Sequence, residues 1–309
     1  MSYSGRMQNS HSYSVFFAPR DRDRMYDLGM QIAQMYLSPY DKLIGVIGES
    51  GAGKSMLIGG MFPGLDLNGN SVEARPIPLI EQSETGLFTA HTYHINVRYE
   101  TEKTSPQTIA EAILKAIQCG KRVVVEHFDR IFPLLGGVHA NLMIGVGDEI
   151  IISRPTIFGP LPSELQKTVA RSMIYRRMVH TAEDLCEIFL SEDDRNRAKH
   201  RDIKHGFLLA FDGKAPDVDL DELELKVSAA IASDLPVAVA DEGHVRIGEI
   251  VHPCTAPRMH VASTGMIEEF RLLHRIEYDP IERCYLIAGR VGPGIGGESI
   301  DDVNDFNLD

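Results

Sequence analysis

The stretch Leu43-Ile44-Gly45-Val46-Ile47-Gly48-Glu49-Ser50-Gly51-Ala52-Gly53-Lys54-Ser55-Met56-Leu57-Ile58 decides the first half of the chain. An apolar run of strand length is followed by a glycine-rich turn and then by residues able to open a helix. That order gathers backbone N–H groups and a helix N-terminus around one point, and both favour a phosphate. Gly48, Glu49, Ser50, Gly51, Ala52, Gly53, Lys54 and Ser55 are therefore the expected nucleotide-binding residues. Lys54 is expected to reach the terminal phosphates, and the Ser55 hydroxyl to bind the Mg²⁺ that bridges two of them.

The spacing of Gly48 to Ser55 resembles the Walker A motif without departure. A second strand, Lys121-Arg122-Val123-Val124-Val125-Glu126-His127-Phe128-Asp129, resembles a Walker B strand, a β-branched run that delivers acids at its C-terminal end. One acid there holds the Mg²⁺ water shell, and a second polarises an attacking hydroxyl or water. Asp129 is the favoured metal partner of Ser55, with Glu126 its rival. Lys54, Asp129 and Glu126 make up the expected catalytic set, and His127 reads as structural. Arg130, Arg154, Arg171, Arg176 and Arg177 are candidates for holding phosphates or a nucleic-acid backbone.

At 309 residues the chain has room for two domains with separate cores. Its 43% apolar and 24% charged content is that of a globular protein, and no apolar run approaches the ~20 residues that span a bilayer. The first residues are polar and lack the apolar core of a secretory signal, so a cytoplasmic location is expected. Cys119, Cys186, Cys254 and Cys284 are too scattered for a disulfide framework. A net charge of −13 argues against broad, non-specific nucleic-acid binding and leaves room for a local basic patch that holds a tRNA end.

Around the loop, residues 21–40 carry apolar side chains at helical spacing, and Ser38-Pro39 ends that helix. Residues 61–84, rich in Gly, Pro and Asn, are expected to be irregular, with a turn at Asn68-Gly69-Asn70. Residues 91–100 alternate as a strand, with His91 and His94 on opposite faces. Residues 105–118 read as an amphipathic helix closed by Gly120. Residues 142–152 read as two short strands around a glycine–acid turn, and 155–162 as a linker.

In the second half, residues 163–177 form a helix whose register continues through His180-Thr181-Ala182-Glu183-Asp184-Leu185, placing His180 and Asp184 on one face. Such an i, i+4 pair can present two ligands to one metal. His205-Gly206-Phe207-Leu208-Leu209-Ala210-Phe211-Asp212 follows, then Leu220-Asp221-Glu222-Leu223-Glu224, Asp234-Leu235-Pro236-Val237, and Cys254-Thr255-Ala256-Pro257-Arg258-Met259-His260 ahead of Thr264-Gly265-Met266-Ile267. In this order the blocks resemble the second additional domain of alanyl- and threonyl-tRNA synthetases, which also occurs in free-standing editing enzymes. The resemblance covers about Ser163 to Gly289. Asp184 stands where the family has its second helix histidine, and two extra residues separate Cys254 from His260. The resemblance implies that His180, Asp184, Cys254 and His260 surround a Zn²⁺ or line a pocket that hydrolyses a mischarged aminoacyl ester. His200, His205, His244 and His252 are the alternative ligands.

The expected fold is thus an α/β P-loop NTPase-like parallel sheet in residues 1–160, followed in 161–291 by an α+β fold like that second additional domain, with a flexible acidic tail in 292–309. The whole arrangement resembles bacterial proteins known only for containing such a domain. That likeness names a fold and no activity; it is Gly48 to Ser55, with an acid at Glu126 or Asp129, that leads us to expect a P-loop ATPase or small-molecule kinase using Mg²⁺ with ATP or GTP, its substrate held by the editing-type domain. The alternatives are a metal-dependent aminoacyl-tRNA deacylase under nucleotide control, and a non-catalytic nucleotide-dependent sensor. The expected partners are a nucleoside triphosphate and a small molecule or tRNA acceptor end, with no membrane.

Overall fold

The structure, a computed structural model, describes residues 13–67, 78–156 and 158–293. Contacts divide it into two compact units, one built on Asp23–Arg171 with the first strand, the other on Phe17–Arg22 and the chain from Ser172 onward.

The first unit comprises β1 (Tyr13–Phe17), α1 (Arg22–Tyr36), β2 (Leu43–Gly48), α2 (Lys54–Met61), α3 (Pro78–Thr85), β3 (Thr92–Asn96), α4 (Val97–Glu100), α5 (Pro106–Gln118), β4 (Arg122–Glu126), α6 (Phe128–Ile131), β5 (Leu142–Val146) and β6 (Glu149–Ser153). Its six strands run in the order β1-β6-β5-β2-β4-β3. β2 lies between β4 and β5, parallel to both, and is buried along its whole length, as a central strand covered on two faces must be. The sheet is mixed where a parallel one was expected. β6 returns beside β5 after the short turn at Gly147-Asp148, and so tight a connection can only be antiparallel.

Local chemistry sets the ends of these elements. The Ser105 hydroxyl accepts the Thr108 N–H at 3.1 Å and Pro106 opens α5, while Gly120, just past its end, adopts φ 75°. Ile109, Ile113 and Ala116 of α5 pack with Ile95, Val123 and Val125 of the sheet. Residues 91–100 are not one strand. β3 stops at Asn96, whose side chain accepts the Arg98 N–H at 3.2 Å and starts the single turn of α4. The stretch 61–84, expected to be irregular, contains α3, and the turn expected at Asn68-Gly69-Asn70 lies outside the described residues.

The second unit starts within α7 (Pro162–Phe189) and continues through α8 (Glu192–Arg197), β7 (Lys199–Ile203), β8 (Gly206–Asp212), α9 (Leu220–Ala232), β9 (Val237–Asp241), β10 (His244–Ile247), β11 (Ile250–Pro253), β12 (Arg271–Leu272), β13 (Glu277–Asp279) and β14 (Cys284–Arg290). An antiparallel sheet runs β12-β14-β8-β7 with β13 also on β14, and β11-β10-β9 form a separate three-stranded sheet. β8 alternates as a strand buried on both faces should. Phe207, Leu209 and Phe211 join the core with Val179, Ala182 and Leu185 of α7, while Leu208 and Ala210 pack with Leu286 and Ala288. Most of the tail expected at 292–309 lies outside the described residues. Among the described residues, no helix is long and apolar enough to cross a membrane.

Candidate functional site

In the first unit, β2 delivers the chain to the loop and α2 begins at Lys54, leaving the amides of its first turn without partners inside the helix. Gly51 and Gly53 adopt φ 83° and 91°, a conformation that side chains resist. Lys54 is buried and its Nζ donates to the Glu49 carbonyl at 2.7 Å, so the ammonium already lies against the loop. Burial lowers its pKa, and Glu126 and Asp129 oppose that shift.

The Ser55 hydroxyl donates to Glu126 Oε1 at 3.1 Å across the β2–β4 pair. His94 Nε2 is 3.0 Å from the same oxygen, and Asn96 Nδ2 is 3.4 Å from Oε2. Burial alone would raise the Glu126 pKa. The His94 hydrogen bond and charge, with Lys54 and Ser55, outweigh it and hold the carboxyl below the usual range. Of the two acids it is Glu126 that lies against Ser55. Asp129 is one step along, half-buried in the first turn of α6, with its pKa raised by burial.

Ser50, Gly51, Lys54, Ser55, Glu126 and His127 line one pocket with His94, Asn96 and Arg98. None of these last three was an expected site residue. Arg98 donates to the Ser50 hydroxyl, and His127 links β4 to α6 at φ 58°, with burial, then Lys54, lowering its pKa to about 4. His94 and Asn96 were legible in principle: they alternate on a strand with apolar neighbours, and a polar residue at a buried strand position has a partner.

In the second unit, α7 presents His180, Glu183, Asp184 and Glu187 at the i, i+3, i+4, i+7 spacing of a buried face, and all four are buried. Cys254 follows β11, and the turn in which the Met259 N–H bonds the Ala256 carbonyl brings His260 back beside it. His180 Nε2 and Cys254 Sγ are 3.2 Å apart, Cys254 Sγ and His260 Nε2 3.3 Å, and His260 Nε2 and Asp184 Oδ2 3.5 Å. One donor atom from each of the four lies within 4.8 Å of every other. The six-residue step from Cys254 to His260 therefore brings both side chains to one point.

Burial shifts every member of this cluster toward its neutral form. Burial, then Glu183 and Glu187, hold the Asp184 carboxyl well above its ordinary pKa. Burial and then Asp184 push the Cys254 thiol up. Burial lowers both imidazoles, His260 to about 2 with help from His180. Neutral imidazoles keep a lone pair for a metal, and Asp184 Oδ2 makes no hydrogen bond among the described residues. A tetrahedral Zn²⁺ with bonds of about 2.0–2.3 Å spaces its ligand atoms about 3.3–3.6 Å apart, so the donor types fit and the separations of 3.2, 3.3 and 3.5 Å match.

Behind the four lies a charge-balanced layer. Glu183 pairs with Arg20 at 3.1 Å and with His200 at 3.2 Å, and Glu187 with His200 at 3.0 Å and His252 at 3.1 Å. Burial opposes both ionised acids, but Arg20, His180 and His200 hold Glu183 well below the ordinary value. Burial likewise opposes the His200 cation, and the two glutamates overcome it, raising its pKa to about 11. Asp184, Glu187 and His252 also approach one another closely, but Glu187 already has two histidine partners. His205 stacks on Tyr175, and His244 pairs with Asp241 at an exposed turn, so neither joins the cluster.

Two of the arginines proposed for phosphate or nucleic acid are structural instead. Arg154 is held by Asp41 at 2.7 and 3.0 Å and by the Asn141 carbonyl, and Arg176 is buried and donates to the Pro19 carbonyl. A guanidinium spent on internal acceptors is not available to a ligand. Arg130 and Arg171 are exposed.

No family model matches the chain. No curated protein matches it either. Among solved structures, an amino transferase from Eubacterium rectale aligns at 12% identity over 82% of this chain and 72% of its own, with a TM-score of 0.23.

Proposed function

We propose that the first unit binds a nucleoside triphosphate with Mg²⁺ and acts as an ATPase or small-molecule kinase of the P-loop NTPase class. The observation that carries this reading is the 3.1 Å contact of Ser55 with Glu126, at the mouth of a glycine-rich turn that also buries Lys54. The loop amides and Lys54 bind the β- and γ-phosphates. Ser55 and Glu126 offer the hard oxygen ligands that Mg²⁺ takes in small number beside phosphate oxygens. That ion would draw charge from the transferring phosphoryl group. Asp129, with its raised pKa, is the candidate to accept a proton from an attacking hydroxyl or water. The test is calorimetry with ATP and GTP plus Mg²⁺, then phosphate release. Binding and turnover are expected in the natural chain, with turnover lost in Lys54→Ala. No heat from well-folded protein overturns the reading, and binding without turnover leaves a nucleotide sensor.

The convergence of His180, Asp184, Cys254 and His260 favours a second activity, hydrolysis of an aminoacyl ester by an editing-type second unit. His180, Cys254 and His260 would hold Zn²⁺, which supplies a water acidic enough to react near neutral pH. Asp184 is then either the fourth ligand or the base that takes that water's proton. Zinc at one per chain, with release of amino acid from charged tRNA lost in Cys254→Ala, supports this reading. Metal analysis that finds no zinc overturns it. The four cysteines, all free of disulfides, support a cytoplasmic setting.

A further inference from the structure

Thr181 follows His180 on α7, and none of its surface reaches solvent. Its hydroxyl has three polar neighbours: the Arg177 carbonyl at 2.9 Å, the Val261 N–H at 3.2 Å and Nδ1 of His260 at 3.2 Å. A hydroxyl has one proton to give and two lone pairs. The carbonyl only accepts and, at 2.9 Å, is the nearest of the three, so it takes the proton. The amide only donates, so it occupies one lone pair. The other lone pair faces the ring, and the contact is a hydrogen bond only if Nδ1 of His260 carries the proton. A neutral imidazole protonated at Nδ1 has its lone pair on Nε2, the atom that faces Cys254 at 3.3 Å and Asp184 at 3.5 Å.

We infer that Thr181 is a positioning residue for a metal centre: its hydroxyl fixes the tautomer and direction of His260, so that Nε2 is offered to a divalent cation shared with His180, Cys254 and Asp184. The inference rests on the reading of that cluster as a metal site. The hydroxyl fixes more than the ring, because the Val261 N–H on the same oxygen anchors the backbone next to His260. The His180 ring stacks on the His260 ring at 4.4 Å between centroids and limits its rotation. Thr181 itself, fully enclosed, has no path to a substrate. A partner that orients a ligating imidazole commonly contributes about 10- to 100-fold in metal affinity.

The metal-free protein tests the first step without any substitution at Thr181. Long-range ¹H–¹⁵N correlations, with the ring assigned by His260→Gln, are expected to find the proton on Nδ1, and a proton on Nε2 overturns the inference. Titration with Co²⁺ against a chelator tests the second. Thr181→Val is expected to lose about 10- to 100-fold in Co²⁺ affinity and to change the visible absorption of the bound ion, whereas Thr181→Ser stays within about threefold of the natural chain. A folded Thr181→Val that melts lower but binds Co²⁺ as tightly as the natural protein marks a structural residue and overturns the inference. If Thr181→Val does not fold, the tautomer and the affinity of Thr181→Ser decide: loss of affinity in the serine variant, whose hydroxyl is intact, overturns it. If the natural chain takes up neither Co²⁺ nor Zn²⁺, the metal reading itself fails, and a proton on Nδ1 is then a matter of packing alone.

Discussion

Glu126 has both oxygens engaged, Oε1 by Ser55 and His94 and Oε2 by Asn96. A carboxylate held this way stays ionised and keeps its direction, which a ligand to a hard cation needs. Glu126→Gln preserves the shape and removes the charge. It is expected to lower phosphate release from Mg-ATP by about 100-fold or more and to leave Mg²⁺-free ATP binding within about threefold. Equal loss of both, measured by calorimetry and phosphate assay, would count against the role. His200 gives a second prediction at this scale. Its folded pKa, about 11, lies above the ordinary 6.5, so its stabilisation is complete below 6.5 and is lost as pH rises through 11. The melting temperature of the natural chain should therefore carry a downward slope over that interval, and His200→Gln should remove it. An unchanged slope in the variant would show that the Glu183–His200–Glu187 contacts do not set it. The residues with a fixed spacing, Gly48 to Ser55 and the His180–Asp184 pair, were legible in the sequence because the spacing itself encodes a turn or a helix face. Thr181 was not, and His94 and Asn96 were legible only as polar residues on a buried strand, since each acts through a partner distant along the chain.

β2 is held at its middle by the absence of a side chain. A Cβ on Gly45 would lie 2.6 Å from the Phe128 ring, and that ring begins α6, directly after the site residues Glu126 and His127. Gly45→Ala must push Phe128 away and is expected to cost about 1–3 kcal/mol and to weaken nucleotide binding with it. Ser105→Ala, which only uncaps α5, should cost about 1 kcal/mol and leave nucleotide binding as it was. Urea melts and ATP titrations of the two variants check the contrast, and a Gly45→Ala protein that is as stable as the natural chain would refute the packing argument. The elements found from sequence had strong internal signals, such as the apolar run of β2 and the period of α5. Those missed had weak ones. β9 has mostly exposed residues with no alternation to read, α3 is a short helix, and the strand expected over 91–100 is cut at Asn96 by a cap that looks like any other polar residue.

α7 contributes to a core in each unit: Leu165 and Val169 to one in the first, Met178, Val179 and Leu185 to one in the second. Prolines and glycines between 155 and 162 mark a change in chain direction, which is what a sequence can display. The switch of contacts falls inside a continuous helix, between Arg171 and Ser172, where no residue type announces it. Each unit carries its own proposed ligand-binding cluster, and a ligand that binds only the folded form stabilises it according to its concentration relative to Kd. Mg-ATP and Co²⁺ should therefore each raise the melting temperature, through different residues. Lys54→Ala is expected to abolish the shift caused by Mg-ATP and retain that caused by Co²⁺, and Cys254→Ala to do the reverse. At a ligand concentration of about 100 times Kd each shift corresponds to about 2.7 kcal/mol, large enough for scanning fluorimetry to separate the two. If Cys254→Ala erased the response to Mg-ATP while the protein stayed folded, the division of labour between the two clusters would be wrong, because a thiol that serves only the second cluster has no chemical means of holding a triphosphate in the first.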